Sequence, residues 1–253
     1  LGKDDFVGLL HRNVTLLNFD DVYPHQRQLA RRADEWIELT NIREVNLFCP
    51  KPSQTAISSR LSRRKGRGIT FIGNGNYHYV TYLLLKEIQL PCSLILFDNH
   101  TDAKAPEGFF DGMLTCGSWV NDAAKLPHVE KVFLIGVGAD WNRLPRDRRK
   151  KIVRWAVPGG EELAAAIPTE HVYISIDKDV LDRAFASTNW DHGTMHLEDL
   201  LAILQTLIRI KRILGIDICG ELPVPPAEAW YYTRQLRLNE RTNLSLLESI
   251  LSA

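Results

Sequence analysis

Leu94-Ile95-Leu96-Phe97-Asp98-Asn99-His100-Thr101-Asp102 runs from four apolar residues into a carboxylate, an imidazole and a second carboxylate, each two positions from the last. A continuous apolar run is what a strand buried on both faces of a parallel sheet requires, and open α/β sheets carry their sites at the carboxyl ends of such strands. Three metal-type ligands at that end predict a metal site. His171-Val172-Tyr173-Ile174-Ser175-Ile176 has the same design and passes into Asp177-Lys178-Asp179. Two strand ends with five hard or borderline ligands between them suit a pair of divalent cations.

Working outward from these two strands, 93–98 and 171–177, the apolar pattern alternates between strand and helix. Further strands are expected at 13–19, 45–49, 68–72, 131–137 and 213–218. Helices are expected at 26–40, 117–125, 146–154 and 161–167, and a closing helix is marked by Leu244, Leu247 and Leu251. Leu197, Leu200, Leu201, Leu204 and Ile208 form an amphipathic stripe, and Val80, Leu83, Leu84 and Ile88 form another, with Asn76 in N-cap position. The basic stretch Ser58–Arg67 reads as a solvated loop, and Pro106, Gly108 and Gly112 mark a second loop. Strands alternating with helices imply a mainly parallel sheet covered on both faces, as one domain over 1–253.

Composition narrows the partners. At 253 residues, with 45% hydrophobic and 25% charged residues, the chain can bury a sizeable core. Lys plus Arg equals Asp plus Glu at 31 each, so charge gives no reason to expect nucleic acid or a membrane surface as partner. No apolar run approaches the roughly 20 residues of a bilayer-spanning helix. The first residues carry no signal-peptide pattern, and Cys49, Cys92, Cys116 and Cys219 form no C-x-x-C pair, so reduced thiols and a cytoplasmic location are expected. Gly73-Asn74-Gly75 between strand and helix invites a dinucleotide reading. The third glycine's place is held by His78, and that reading is set aside.

The ligand candidates are His78, Asp98, His100, Asp102, Asp177 and Asp179. Six are too many for one small open site and suit two cations held by bridging carboxylates, which together acidify a water and polarise the atom it attacks.

Gly75-Asn76-Tyr77-His78, Asp98-Asn99-His100-Thr101-Asp102 and Ser175-Ile176-Asp177-Lys178-Asp179-Val180-Leu181-Asp182 resemble the three metal motifs of the arginase/agmatinase/formimidoylglutamase (ureohydrolase) superfamily. The resemblance runs from about Gly68 to Pro223. It implies a three-layer α/β/α sandwich, often assembled as trimers or hexamers, acting on a small molecule. It also implies two Mn²⁺ ions, other divalent metals being possible: one held by His78, Asp98, Asp102 and Asp177, the other by Asp98, His100, Asp177 and Asp179. By the same resemblance Asp98 and Asp177 bridge, and Asp102 takes a proton from the attacking hydroxide.

The chain departs from the family at three places. Cys116-Gly117 stands where the family has His-Gly, which leaves Cys116 as proton donor to the departing nitrogen, as a further metal ligand, or as a small core residue. The family's guanidinium-binding Glu aligns with Gly220, and Glu221 lies one residue away, where a one-residue shift restores the contact. Lys104 follows Asp102 by two residues and either holds a substrate carboxylate or is a solvated charge; Trp190, Asp191 and His192 fall at the family's pocket rim. The expectation is a hydrolase of linear C–N bonds in a guanidine, amidine or amide. Its alternatives are a formimidoylglutamase-like hydrolase of an acidic substrate and an arginase-fold metal-binding protein without turnover.

Overall fold

None of the four residues from Leu94 to Phe97 is exposed to solvent, and the strand they belong to sits near the middle of a nine-stranded sheet. The structure is a computed structural model and describes residues 7–104, 112–156 and 159–253. Its strands are β1 (Gly8–Leu9), β2 (Val14–Asn18), β3 (Glu35–Glu38), β4 (Phe48–Cys49), β5 (Ile69–Phe71), β6 (Cys92–Phe97), β7 (Leu114–Thr115), β8 (Val129–Ile135), β9 (Ile152–Trp155), β10 (His171–Asp177) and β11 (Arg212–Cys219). The helices are α1 (Arg27–Arg32), α2 (Lys51–Leu61), α3 (Val80–Leu85), α4 (Trp119–Lys125), α5 (Gly160–Ala166), α6 (Leu197–Ile210) and α7 (Thr233–Ser252).

The main sheet has the order β3-β2-β5-β11-β10-β6-β8-β9, with β1 also paired to β11, and its pairings are parallel. Period-two alternation divides each central strand between two cores. Ile95 and Phe97 of β6 join Leu29 of α1, Leu163 of α5, Leu204 of α6 and Leu246 of α7. Leu94 and Leu96 join Ile57 of α2, Leu83 of α3 and Trp119 of α4 on the other face. The result is the α/β/α arrangement expected from the alternating pattern.

One irregularity aims the site. Between Val172 and Tyr173 the β10–β11 register slips, so that Val172 faces Ile213 and Tyr173 faces Gly215. The extra residue on β11 is Leu214. Beyond it Ile216 and Ile218 point to the α6 side, and Asp217 and Cys219 point to the α3 side. Without the bulge, Asp217 and Cys219 would share the face of Ile213 and point away from α3. Gly215 is required there, because a Cβ would stand 2.7 Å from the carbonyl oxygen of Arg67 and 2.9 Å from the Tyr173 ring.

Several elements differ from expectation. The helix expected over 26–40 stops at Arg32, and Glu35–Glu38 forms the outermost strand beside β2. Its residues alternate between half-buried and exposed, and Glu35 and Glu38 accept hydrogen bonds from Thr15 and Asn18 of β2. Ser58–Leu61 belongs to α2, whose first turn contains Pro52. The basic segment 146–154 makes one 3₁₀ turn at Arg148–Lys150 and then enters β9, with Ile152 buried. Asn76 does not cap α3, which starts after Tyr79 with no side-chain cap; Asn74 caps the preceding 3₁₀ turn, Gly75–Tyr77, its side chain accepting from the Asn76 N–H. Pro106 and Gly108 lie outside the described residues. Among the described residues no helix is long and apolar enough to cross a membrane.

Candidate metal centre

The carboxyl ends of β5, β6, β10 and β11 converge, and each delivers side chains to one place. The 3₁₀ turn after β5 ends at His78, 1% exposed. Period-two alternation puts Asp98 on the face of Leu94 and Leu96, and Asp177 on the face of Tyr173 and Ser175. His78 Nδ1 lies 3.0 Å from Asp102 Oδ2, 3.4 Å from Asp98 Oδ2 and 3.4 Å from Asp177 Oδ2. Even so, His78 Nδ1 and Asp98 Oδ2 have no hydrogen-bond partner, although both are buried. A second pair, His100 Nδ1 and Asp179 Oδ2, stands 2.8 Å apart, with Asp98 Oδ1 3.6 Å from the same ring nitrogen.

The outer hydrogen bonds fix these orientations. The Ser175 hydroxyl donates to Asp217 Oδ1 at 2.7 Å, so it accepts from His78 Nε2–H at 3.0 Å. That keeps a proton on Nε2 and aims Nδ1 at the carboxylates, the orientation a metal-binding histidine needs once a cation has displaced the Nδ1 proton. Thr81 and Tyr173 donate to the same Asp217 carboxylate at 3.1 and 2.9 Å. Trp119 Nε1–H holds Asp102 Oδ2 at 2.7 Å, and the His100 and Asp179 backbone N–H groups donate to Asp98 and Asp177. Asp102 has φ 45°, a left-handed conformation that non-glycine residues adopt rarely and that clusters at functional sites.

The titration of these groups is far from ordinary. Burial pushes Asp98 well up, and the charges of Asp102 and Asp179 push the same way; burial and Asp179 also raise Asp177. Burial opposes the charged form of His78, yet the adjoining Asp102 and the charges of Asp177 and Asp98 raise it to about 10. His100 is raised to about 11 against the same opposition, by Asp179 and Asp98. Carboxylates that resist ionisation around imidazoles that resist deprotonation describe a site short of positive charge. With two buried polar atoms unpartnered in their midst, these residues fit a divalent cation.

His78, Asp98 and Asp102 form one group whose ligand atoms all lie within 4.8 Å of one another, and Asp98, His100 and Asp179 form another. Asp98 is common to both. Asp177 enters a third group, with His78 and Cys219. Asp98, His100, Asp102, Asp177 and Asp179 line one cavity of about 210 Å³, along with Lys104, Cys116 and Trp190.

The remaining sequence candidates divide. Trp190 packs edge-on to His100, ring centroids 5.9 Å apart, and donates from Nε1 to Asn76. Cys116 lines the same cavity; burial first, then the charges of Asp102 and Asp177, push its thiol up to about 12. Lys104 lies between this cavity and a neighbouring one of about 650 Å³, and pairs with Asp140 at 3.1 Å. His192 is elsewhere: its Nδ1 contacts the Leu181 carbonyl oxygen, and it lines a separate surface cavity beside α7. Asp191 contributes its backbone carbonyl to Asn99.

Glu221 is not among the residues lining the cavity of the ligand candidates. It is 1% exposed and engaged with Lys178, with Gln26 at 2.7 Å and with Asn243 at 2.6 Å. Gly220, at φ 88°, holds the position expected for the family Glu, and a Cβ there would come within 2.5 Å of Asp177 Oδ1. No one-residue shift brings Glu221 to the substrate side in this conformation.

Ser175, Asp217, Cys219 and Trp119 were not picked out from sequence as parts of the site. Ser175 was within reach, since it precedes Asp177 by two residues on a strand and must share its face.

A parallel α/β/α protein with Asp and His gathered at the ends of adjacent strands is the class this architecture defines. The arginase family model matches residues 17–226, and the chain belongs to that family. An uncharacterized protein of Thermotoga maritima is 34% identical over 240 residues, 94% of this chain and 89% of its own. Agmatine ureohydrolase of Thermoplasma volcanium superposes with a TM-score of 0.65 at 16% identity, covering 94% of this chain and 88% of its own. Formimidoylglutamase of Bacillus subtilis gives 0.66 at 15% (99% and 88% covered), and Entamoeba histolytica arginase 0.66 at 14% (97% and 100%). At such identities the structures share the fold.

Proposed function

We propose that this arginase-family protein is a hydrolase of linear C–N bonds working with two divalent cations. His78, Asp98, Asp102 and Asp177 hold one, and Asp98, His100, Asp177 and Asp179 the other. The observation that carries the reading is the buried pair His78 Nδ1 and Asp98 Oδ2, left without hydrogen-bond partners among the carboxylates. Mn²⁺ is the ion implied by the sequence resemblance. When bound, such ions lower the pKa of water to near neutrality and polarise the atom under attack.

The chain's own groups do the rest. Asp102, held at Oδ2 by Trp119, faces the cavity and takes the nucleophile's proton. Cys116 lines the cavity and has a thiol proton to give to the departing nitrogen. Trp190 walls the cavity and limits the water around the reacting carbon.

The absence of a carboxylate at Gly220 weakens the case for a cationic guanidinium or amidinium at that point and favours an uncharged amide. Lys104, at the junction with the larger cavity, supports a second reading in which the substrate carries an acidic group.

The test is a screen of cation-loaded protein against guanidines, formimino compounds and amides, reading urea, formamide and ammonia release, with bound metal counted in parallel. Turnover in one class, abolished by Asp102→Asn, is expected. Two bound ions with no turnover in any class would favour a metal-binding protein without activity. Loss of turnover on acidic substrates alone in Lys104→Ala would favour the second reading.

A further inference from the structure

We propose that Cys219 is a thiolate ligand to the cation held by His78 and Asp177, so that this position selects a thiophilic divalent ion such as Zn²⁺, Co²⁺ or Fe²⁺ over Mn²⁺. The inference rests on the cation-centre reading above and changes which ion one half of that centre prefers.

Cys219 Sγ lies 3.2 Å from Asp177 Oδ2, and the ligand atoms of His78, Asp177 and Cys219 all fall within 4.8 Å of one another. All three residues are buried. His78 Nδ1, aimed into the same space, has no hydrogen-bond partner. This juxtaposition is built by the fold. The β11 bulge turns Cys219 to the face of His78, and Gly220 follows without the Cβ that would crowd Asp177 Oδ1 at 2.5 Å.

The other cysteines differ. Cys92 and Cys49 are both buried among the α3-side core residues, Cys49 with its sulfur 3.9 Å from the Pro50 carbonyl oxygen, and neither enters a ligand group. Cys116 lines the open cavity, and none of the three ligand groups includes it.

A thiolate prefers softer ions than carboxylate oxygen does, and one sulfur among nitrogen and oxygen donors moves a site toward zinc and cobalt. On binding, the sulfur–metal bond replaces S–H, and the proton is released to the buffer. No oxidant or reductant takes part.

The experiment is cobalt titration of chelator-stripped full-length protein under anaerobic conditions. Bound cobalt is counted by equilibrium dialysis, and absorption is recorded from the near ultraviolet to the visible. A sulfur-to-cobalt charge-transfer band is expected in the unaltered protein and in Cys116→Ser. It should vanish in Cys219→Ser while cobalt still binds and visible ligand-field bands remain, and the preference for Zn²⁺ over Mn²⁺ should fall in that variant. If Cys219→Ser fails to fold, Cys49→Ser, Cys92→Ser and Cys116→Ser identify the sulfur by each retaining the band.

Cobalt bound without any charge-transfer band, or a band surviving in Cys219→Ser, overturns the thiolate assignment and leaves the cation centre standing. Failure to bind any cobalt, zinc or manganese overturns both.

Discussion

Ser175 has one proton and gives it to Asp217, and its lone pairs then set the His78 tautomer. Ser175→Ala would leave the His78 Nε2–H without an acceptor and reduce Asp217 to the Thr81 and Tyr173 hydroxyls. An unsatisfied buried donor costs about 1–3 kcal/mol. Loss of a partner that orients a metal-binding imidazole weakens metal affinity by about 10- to 100-fold. Both effects are expected together, the first in the urea midpoint and the second by calorimetric titration with Mn²⁺ or Zn²⁺. Unchanged affinity with lowered stability would reduce Ser175 to a structural hydroxyl. At this scale the six candidate ligands were legible because strand ends announce themselves in sequence, apolar residues giving way to spaced Asp and His. Cys219 and Asp217 were not legible as site residues, because nothing in Arg212–Cys219 reveals the extra residue at Leu214 that reverses their face. Glu221 and His192 were misplaced for a related reason. Proximity in sequence to a site does not say which way a loop side chain turns.

Between elements, Lys178 is the joint. It sits between two ligand candidates, is fully buried, and pairs with Glu221 after β11, which in turn binds Gln26 before α1 and Asn243 of α7. Lys178→Met leaves the Glu221 charge buried without its cation, and breaking such a pair costs about 3–5 kcal/mol. Adding Glu221→Gln removes that charge while keeping an amide for Gln26 and Asn243, so the double variant should recover a large part of the loss in chemical denaturation. Equal instability of single and double variants would show that the charge is not the problem. Gly220→Ala tests the same joint by sterics. It demands a positive φ and puts Cβ 2.5 Å from Asp177 Oδ1, so lowered stability and weakened metal binding are expected together. The long helices and central strands could be read from periodicity, as α6 and β6 illustrate. The edges could not. Glu35–Glu38 and Ile152–Trp155 are mixed polar and apolar segments at the two sides of the sheet, where one strand neighbour and half-burial leave a pattern that a helix also satisfies.

For the whole molecule, the centre makes stability depend on pH and on cations at once. Burial raises Asp217 to about 6 from an ordinary 3.8, against the opposing effects of His78, Ser175, Tyr173 and Thr81. The folded state therefore binds that proton more tightly than the unfolded chain, and the associated stability, full below about pH 3.8, is lost as pH rises through about 6. His78 and His100, raised to about 10 and 11, act in the same sense higher up. Their contribution is full below the ordinary 6.5 and disappears as pH climbs through those values. Stripped of cations, the protein should lose stability progressively from mildly acid to alkaline pH. A divalent ion must displace the same protons, so its apparent affinity grows as pH rises, and a ligand that binds only the folded state stabilises with the logarithm of its concentration relative to its Kd. The rise in Tm on adding saturating Mn²⁺ or Zn²⁺ to chelator-treated protein should accordingly be larger at pH 8 than at pH 6. His78→Ala should flatten that difference, because it removes one of the protons in competition. A metal-induced shift equal at both pH values in the unaltered protein would mean that the ion sits on groups other than these histidines and carboxylates.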